Sequence, residues 1–178
     1  MRGKLLKRRS QMNRSFSYII SFVVLIVLQL LIFNNIQFSG FVNPYVYVMF
    51  ILILPMAIPT WILLLLSFMT GIVIDIFSGT MGVHAFATVM AGFVRPWVLS
   101  LNITSEASEP ETSPSSHNSG LRWFFIYTST VVFIHHFSLF FVEVFSFTNF
   151  FYTVLRVLLS TMVTTIFIIL FDIIRPRR

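Results

Sequence analysis

The chain has 178 residues, 57% of them hydrophobic and 10% charged, with a mean hydropathy of +0.89. A water-soluble domain is roughly a quarter charged, so a soluble globule is excluded and a membrane protein is the leading class. The 22 phenylalanines and long Leu/Ile/Val runs exclude a disordered chain, and the absence of cysteine excludes disulfides, thiolate metal sites and cysteine nucleophiles.

The net charge is +6. Arg2, Lys4, Lys7, Arg8, Arg9 and Arg14 all precede the first apolar run. They read as a topology signal on a basic cytoplasmic tail (1–15), compatible with anionic lipid. No folded basic surface or base-stacking module accompanies them, so nucleic acid is not an expected partner. The run Phe16 to Phe33 is long enough to span a bilayer. It is longer than a signal-peptide core and is followed by Asn34-Asn35-Ile36-Gln37, so it reads as an uncleaved first helix.

The next apolar stretch, Tyr45 to Phe77, would make a single helix of about 50 Å against a hydrocarbon core of about 30 Å. Pro55 and Pro59 interrupt it, which predicts a short second helix (45–58) and a third (60–77). A fourth helix is expected over 83–99. Residues 102–120, rich in Ser, Pro, Thr and Glu, read as a disordered cytoplasmic linker. A fifth helix (122–147), a sixth (150–174) and a basic end (175–178) complete the chain. The membrane helices thus group as 16–101 and 121–174. With both termini in the cytoplasm, eleven of the twelve Lys and Arg lie inside, including Arg95, Arg122, Arg175, Arg177 and Arg178. The expected fold class is an all-α polytopic membrane protein with six transmembrane helices.

Ionisable groups at membrane depth usually face a bundle interior. Ser67, Gly71 and Asp75 recur every four residues, which reads as a small-residue packing seam ending in a polar group, or as a contact to a partner or ligand. Glu143 and Arg156 return to similar depth across the last hairpin and are expected to pair, with Asp75 able to join them. His135 and His136 are candidates for interhelical hydrogen bonds; a zinc site is not expected, because three or four ligands at defined spacing are not visible. Arg156, Ser160 and Thr164 form a polar row on the sixth helix, and Ala87, Ala91 and Arg95 a row on the fourth. Asp172 reads as a surface group. No nucleophile turn, phosphate loop or His-Glu-x-x-His motif is present, so neither an enzyme nor a cofactor is expected.

The order Gly71-x-x-x-Asp75, then Gly82-Val-His84-Ala85, resembles the rod shape-determining protein MreD family. Arg95-Pro96-Trp97, His135-His136-Phe137, Glu143 to Asn149 and Arg156 resemble its Bacteroidetes branch. The resemblance covers most of residues 16–174. It implies a non-enzymatic scaffold in the bacterial inner membrane that maintains cell shape. As implied partners it brings an MreC-like protein, a RodA-like polymerase with a class B penicillin-binding protein and, indirectly, MreB filaments. It also implies the fold of the substrate-binding S-components of energy-coupling-factor transporters. On it, Gly71, Asp75, Gly82 and Ala85 are the matched positions. The rival expectation is a transport subunit that captures a vitamin-sized molecule among Asp75, Glu143 and Arg156 and offers Ala87 and Ala91 to an energising partner.

Overall fold

The computed structural model describes residues 2–36, 42–102, 112–145 and 149–175, with the side chains of residues 2–11, 13, 14 and 102 left aside. Arg177 and Arg178 lie outside the described residues, as do 103–111 of the linker and 146–148 of the predicted fifth helix. The basic tail is described as helical backbone from Arg2 onward.

The chain is an all-helical membrane protein. Its elements are α1 (Arg2–Leu31), α2 (Met49–Leu52), α3 (Thr60–Ser78), α4 (Val83–Asn102), α5 (Ser116–Ser119), α6 (Leu121–Val144) and α7 (Phe150–Ile174). Two 3-10 turns, Phe33–Asn35 and Val46–Val48, flank the path from α1 to α2. Among the described residues four stretches are long and apolar enough to cross a membrane: Ser15–Asn35, Thr60–Ser78, Leu121–Val144 and Phe150–Ile174. The pairs α3–α4 and α6–α7 are antiparallel hairpins packed side by side through α4 and α6. One end of the bundle carries the α3–α4 turn, the end of α6 and the start of α7; there Asn34 after α1 donates to Ser78 Oγ at 3.3 Å. The other end carries the linker, where Tyr18 of α1 meets Ser113 at 2.6 Å.

The distribution of residues is inverted relative to a soluble protein. Phe16, Val23, Trp61, Phe93, Trp97, Phe137, Leu158 and Met162 face outward. Gln29, Ser67, Thr70, Asp75, His84, Arg95, His135, His136, Ser160 and Thr164 are buried. In hydrocarbon the apolar side chains need no cover, whereas each polar group must find a partner inside.

The predicted second helix (45–58) is not a continuous helix. Pro44, Pro55 and Pro59 leave between them about 15 Å of possible helix, too little for a helical span, and the segment folds as one 3-10 turn, the single turn of α2 and an irregular exit. Val46 through Leu54 are all buried, none more than 5% exposed. The segment therefore lies along the centre of the bundle rather than among its outer helices. Irregular backbone at membrane depth is tolerated only where protein groups meet its hydrogen-bonding needs. Here Asn43 N–H donates to Ser160 Oγ (3.2 Å), Tyr45 N–H to Thr164 Oγ1 (3.1 Å) and Tyr47 N–H to Gln29 Oε1 (3.4 Å). Gln29 Nε2 in turn donates to the Pro44 carbonyl at 3.2 Å.

The linker also differs from expectation over its second half. Residues 112–120 dock on the bundle, with Pro114 buried. Asp172, expected at the surface, is 1% exposed. Its Oδ2 accepts both the N–H and the hydroxyl of Ser116, each at 2.6 Å.

Candidate functional site

The α3–α4 hairpin is built on Gly71, Gly79 and Gly82. Gly79 and Gly82 adopt φ of +69° and +80°, the left-handed region that glycine enters without strain, and so turn the chain tightly between the helices. Gly71 meets α4 so closely that a Cβ on it would lie 2.6 Å from the backbone nitrogen of Ala85. One level further along, a Cβ on Gly92 would lie 3.1 Å from Ser67 Cβ. The face Ser67–Gly71–Asp75 is thus the internal seam of this hairpin. Overpacking such a contact costs typically about 1–3 kcal/mol. Gly71→Ala is therefore expected to lower the unfolding midpoint of the detergent-solubilised protein by several degrees; a midpoint equal to wild type would contradict the seam.

Asp75 ends that seam, 3% exposed. Its Oδ1 accepts Thr80 Oγ1–H at 2.5 Å and His84 N–H at 3.0 Å, and Oδ2 accepts Ala85 N–H at 2.9 Å. A carboxylate of α3 thereby caps the N-terminus of α4, whose first N–H groups have no partner within the helix. The negative charge also sits at the positive end of the helix dipole.

Arg95 supplies the converse. It was expected on the cytoplasmic flank, counted for topology; the structure buries it to 1% exposure in the bundle. Its Nε donates to Tyr127 OH at 2.9 Å. Its Nη2 reaches the carbonyls of Leu52 (3.4 Å), Leu54 and Pro55 (3.4 Å), and Nη1 also reaches Pro55 at 3.4 Å. Tyr127 OH donates to the same Leu52 carbonyl at 3.0 Å. A five-donor planar guanidinium suits a fan of carbonyls left open where α2 ends. Arg122, by contrast, is exposed. Arg175, at the end of α7, is partly exposed.

Between these two caps lies a cluster of Tyr45, Tyr47, His84, His135 and His136. Tyr47 OH is 2.9 Å from His84 Nδ1 and 2.9 Å from His135 Nε2. A phenol has one proton, so one imidazole accepts it and the other donates to the phenol oxygen. His135 Nδ1 is buried and unpartnered. His136 Nδ1 donates to the Val132 carbonyl at 2.9 Å, because a carbonyl can only accept. Its Nε2 then accepts from Thr164 Oγ1 at 3.2 Å, the same hydroxyl that receives Tyr45 N–H. His135, His136, Ser160 and Thr164 therefore do make interelement hydrogen bonds, chiefly to the central segment. Among the described residues no three His, Asp or Glu side chains converge as a metal site would require.

Glu143 and Arg156 pair as expected, at 3.1 Å, with the guanidinium carbon 4.1 Å from the centre of the Phe140 ring. Asp75 does not join them; its oxygens are taken by Thr80, His84 and Ala85. The Glu143 side chain is 44% exposed, and an ion pair of this kind contributes at most about 1 kcal/mol. Glu143→Gln is accordingly expected to change the unfolding midpoint by no more than a few degrees, and a collapse of the fold would contradict that. Ala87 and Ala91 are fully buried inside the chain. They are thus not the open surface for an energising partner that the transport expectation required.

Sequence reasoning missed Gln29, Tyr47, Thr80 and Tyr127 as parts of this network. Gln29 carried a signal, as the lone amide within the first apolar run. No family model, no curated protein and no solved structure matches the chain.

Proposed function

We propose that the protein is a non-enzymatic membrane scaffold of the bacterial cell-elongation machinery, seated in the inner membrane with both termini cytoplasmic. In this reading α1, the central segment, α3, α4, α6 and α7 give six crossings, the second passing through the bundle rather than beside lipid. The scaffold joins an MreC-like protein and the RodA-like polymerase with its class B penicillin-binding protein to MreB filaments, and so maintains rod shape during peptidoglycan synthesis. The family resemblance supplies the identity of these partners.

One observation carries the choice of a scaffold over a capture subunit. The two helix ends that a broken membrane element would offer to an ion are filled by the chain's own side chains, Arg95 at the end of α2 and Asp75 at the start of α4. What faces outward is apolar and aromatic, a surface suited to recognising other membrane helices by packing. Asp75, buried under α4, serves partner contact indirectly, by fixing how the α3–α4 hairpin presents Phe93 and Trp97. Depletion of the protein in a rod-shaped bacterium that encodes it is expected to give round cells. Rods of unchanged width and length after depletion would refute the role.

The transport reading retains one observation in its favour: an irregular segment lies at the bundle centre beside the unpartnered Nδ1 of His135. It predicts that a vitamin-sized molecule is retained through purification.

A further inference from the structure

The second half of the linker is a strap that touches three separate elements at one end of the bundle. Ser113 Oγ meets Tyr18 OH of α1 at 2.6 Å. The Thr112 carbonyl accepts Met56 N–H of the central segment at 3.1 Å. Ser116 gives both its N–H and its hydroxyl to Asp172 of α7. Within the strap, Asn118 N–H donates to Ser115 Oγ and Asn118 Nδ2 to the Ser113 carbonyl, and Pro114 is buried against the bundle.

Two features distinguish these contacts from an ordinary surface loop. Asp172 is buried, and its second oxygen, Oδ1, has no partner. Among the described residues Ser116 gives this carboxyl two hydrogen bonds on one oxygen, each at 2.6 Å, which makes Ser116 the strap's most closely held residue. Met56 directly follows Pro55, whose carbonyl is one of those clamped by Arg95. The strap therefore reaches, through a single peptide unit, the buried clamp that fixes the central segment.

We infer that residues 112–119 form a latch, closed by Asp172, that couples the polar linker to the central segment. While the latch is shut, Met56 N–H is bonded and the exit of the segment is fixed against the Arg95 guanidinium. When it opens, the strap, Met56 and Ile58 come free together, while the α3–α4 and α6–α7 hairpins stay packed. A force or a binding event on the linker is thereby transmitted to the core of the bundle without unfolding it. This inference rests on the hydrogen bonds at the linker end and is independent of the partners proposed above.

The test is amide hydrogen exchange on the full chain in nanodiscs, comparing wild type with Asp172→Ala, Asp172→Asn and Ser116→Ala. In Asp172→Ala, exchange over 112–119 and at Met56 and Ile58 is expected to accelerate together by about 10- to 100-fold, the factor carried by two buried hydrogen bonds. Exchange around Val131, Val132 and Ile168 is expected to stay at the wild-type rate. Asp172→Asn keeps one acceptor oxygen and is expected to show a smaller acceleration. Unchanged exchange over 112–119 would overturn the latch. Acceleration of the strap with Met56 still protected would overturn the coupling. If Asp172→Ala loses protection throughout α6 and α7, Ser116→Ala decides: it removes one of the two bonds and leaves the carboxylate, and an unaltered strap and Met56 in that variant would overturn the proposal.

Discussion

Replacing Arg95 by alanine is expected to be among the most damaging single changes in this protein. The substitution removes the donor shared by the carbonyls of Leu52, Leu54 and Pro55 and the hydroxyl of Tyr127; Tyr127 OH still donates to Leu52 and Ile58 N–H to Pro55, so the Leu54 carbonyl is the one left unpaired among them. An unpaired buried carbonyl costs about 1–3 kcal/mol and a hydrogen bond to a charged group contributes about 1.5–3 kcal/mol, so after partial relaxation the loss is about 3–5 kcal/mol. For a chain of this length that is a fall of about 10 °C in the unfolding midpoint. Arg95→Met separates bonding from packing, because it keeps most of the volume and none of the donors. It is expected to fall nearly as far as Arg95→Ala. Arg95→Lys keeps the charge but loses the planar fork, so it is expected to fall between wild type and Met. A methionine variant as stable as wild type in a detergent melt would show that the carbonyl clamp contributes nothing.

The second large effect is expected at Asp75. Alanine there removes the acceptors of Thr80, His84 and Ala85 and the charge at the start of α4. The combined loss of a cap and of a charge at the helix N-terminus is about 2–4 kcal/mol. Asp75→Asn retains one carbonyl oxygen and no charge, and is expected to lose about half as much. The order wild type, Asn, Ala in thermal melts is the check; equal stability of Asn and Ala would mean that the remaining oxygen is not used. Any loss of rod shape in these variants must be compared with protein abundance, because the carboxylate acts on the hairpin rather than on the surface. Glu143→Gln provides the contrast, since its half-exposed pair is replaceable by water.

The sequence made the hairpins readable because glycine and small residues have few uses at membrane depth. Gly71, Ala85 and the turn glycines Gly79 and Gly82 stand where the structure needs close approach and left-handed backbone. The pairing of Glu143 with Arg156 followed from their equal depth in one hairpin. The central segment was misread because hydropathy reports apolarity and does not distinguish lipid from protein interior. Val46 to Leu54 are as apolar as a span, yet they are shielded from the outside by their own neighbours. The prolines marked that break, but nothing local states that Ser160, Thr164, Gln29 and Arg95 would supply its hydrogen bonds. Arg95 was misplaced for the same reason. A basic residue near the end of a helix fits a flank by the charge rule, and only the packed bundle reveals the open carbonyls that it meets. Asp172 and the strap were illegible because a composition rich in Ser, Pro, Thr and Glu predicts solvation, whereas contacts from Tyr18, Met56 and the buried Asp172 dock the segment.

The scaffold reading is tested most directly by photo-crosslinking in living cells from the outward face of α4. Phe93 and Trp97 are four residues apart, exposed by 56% and 72%, on the side of α4 opposite the buried Arg95. Leu158 and Met162 on α7 serve as the comparison face. The expected result is that probes at Phe93 and Trp97 capture a single-span MreC-like protein or the polymerase pair, identified by mass spectrometry, and that the α7 probes do not. Capture of an ATPase module from the α4 face, with a vitamin-sized molecule retained by the purified protein, would contradict the scaffold and leave a transport subunit in its place.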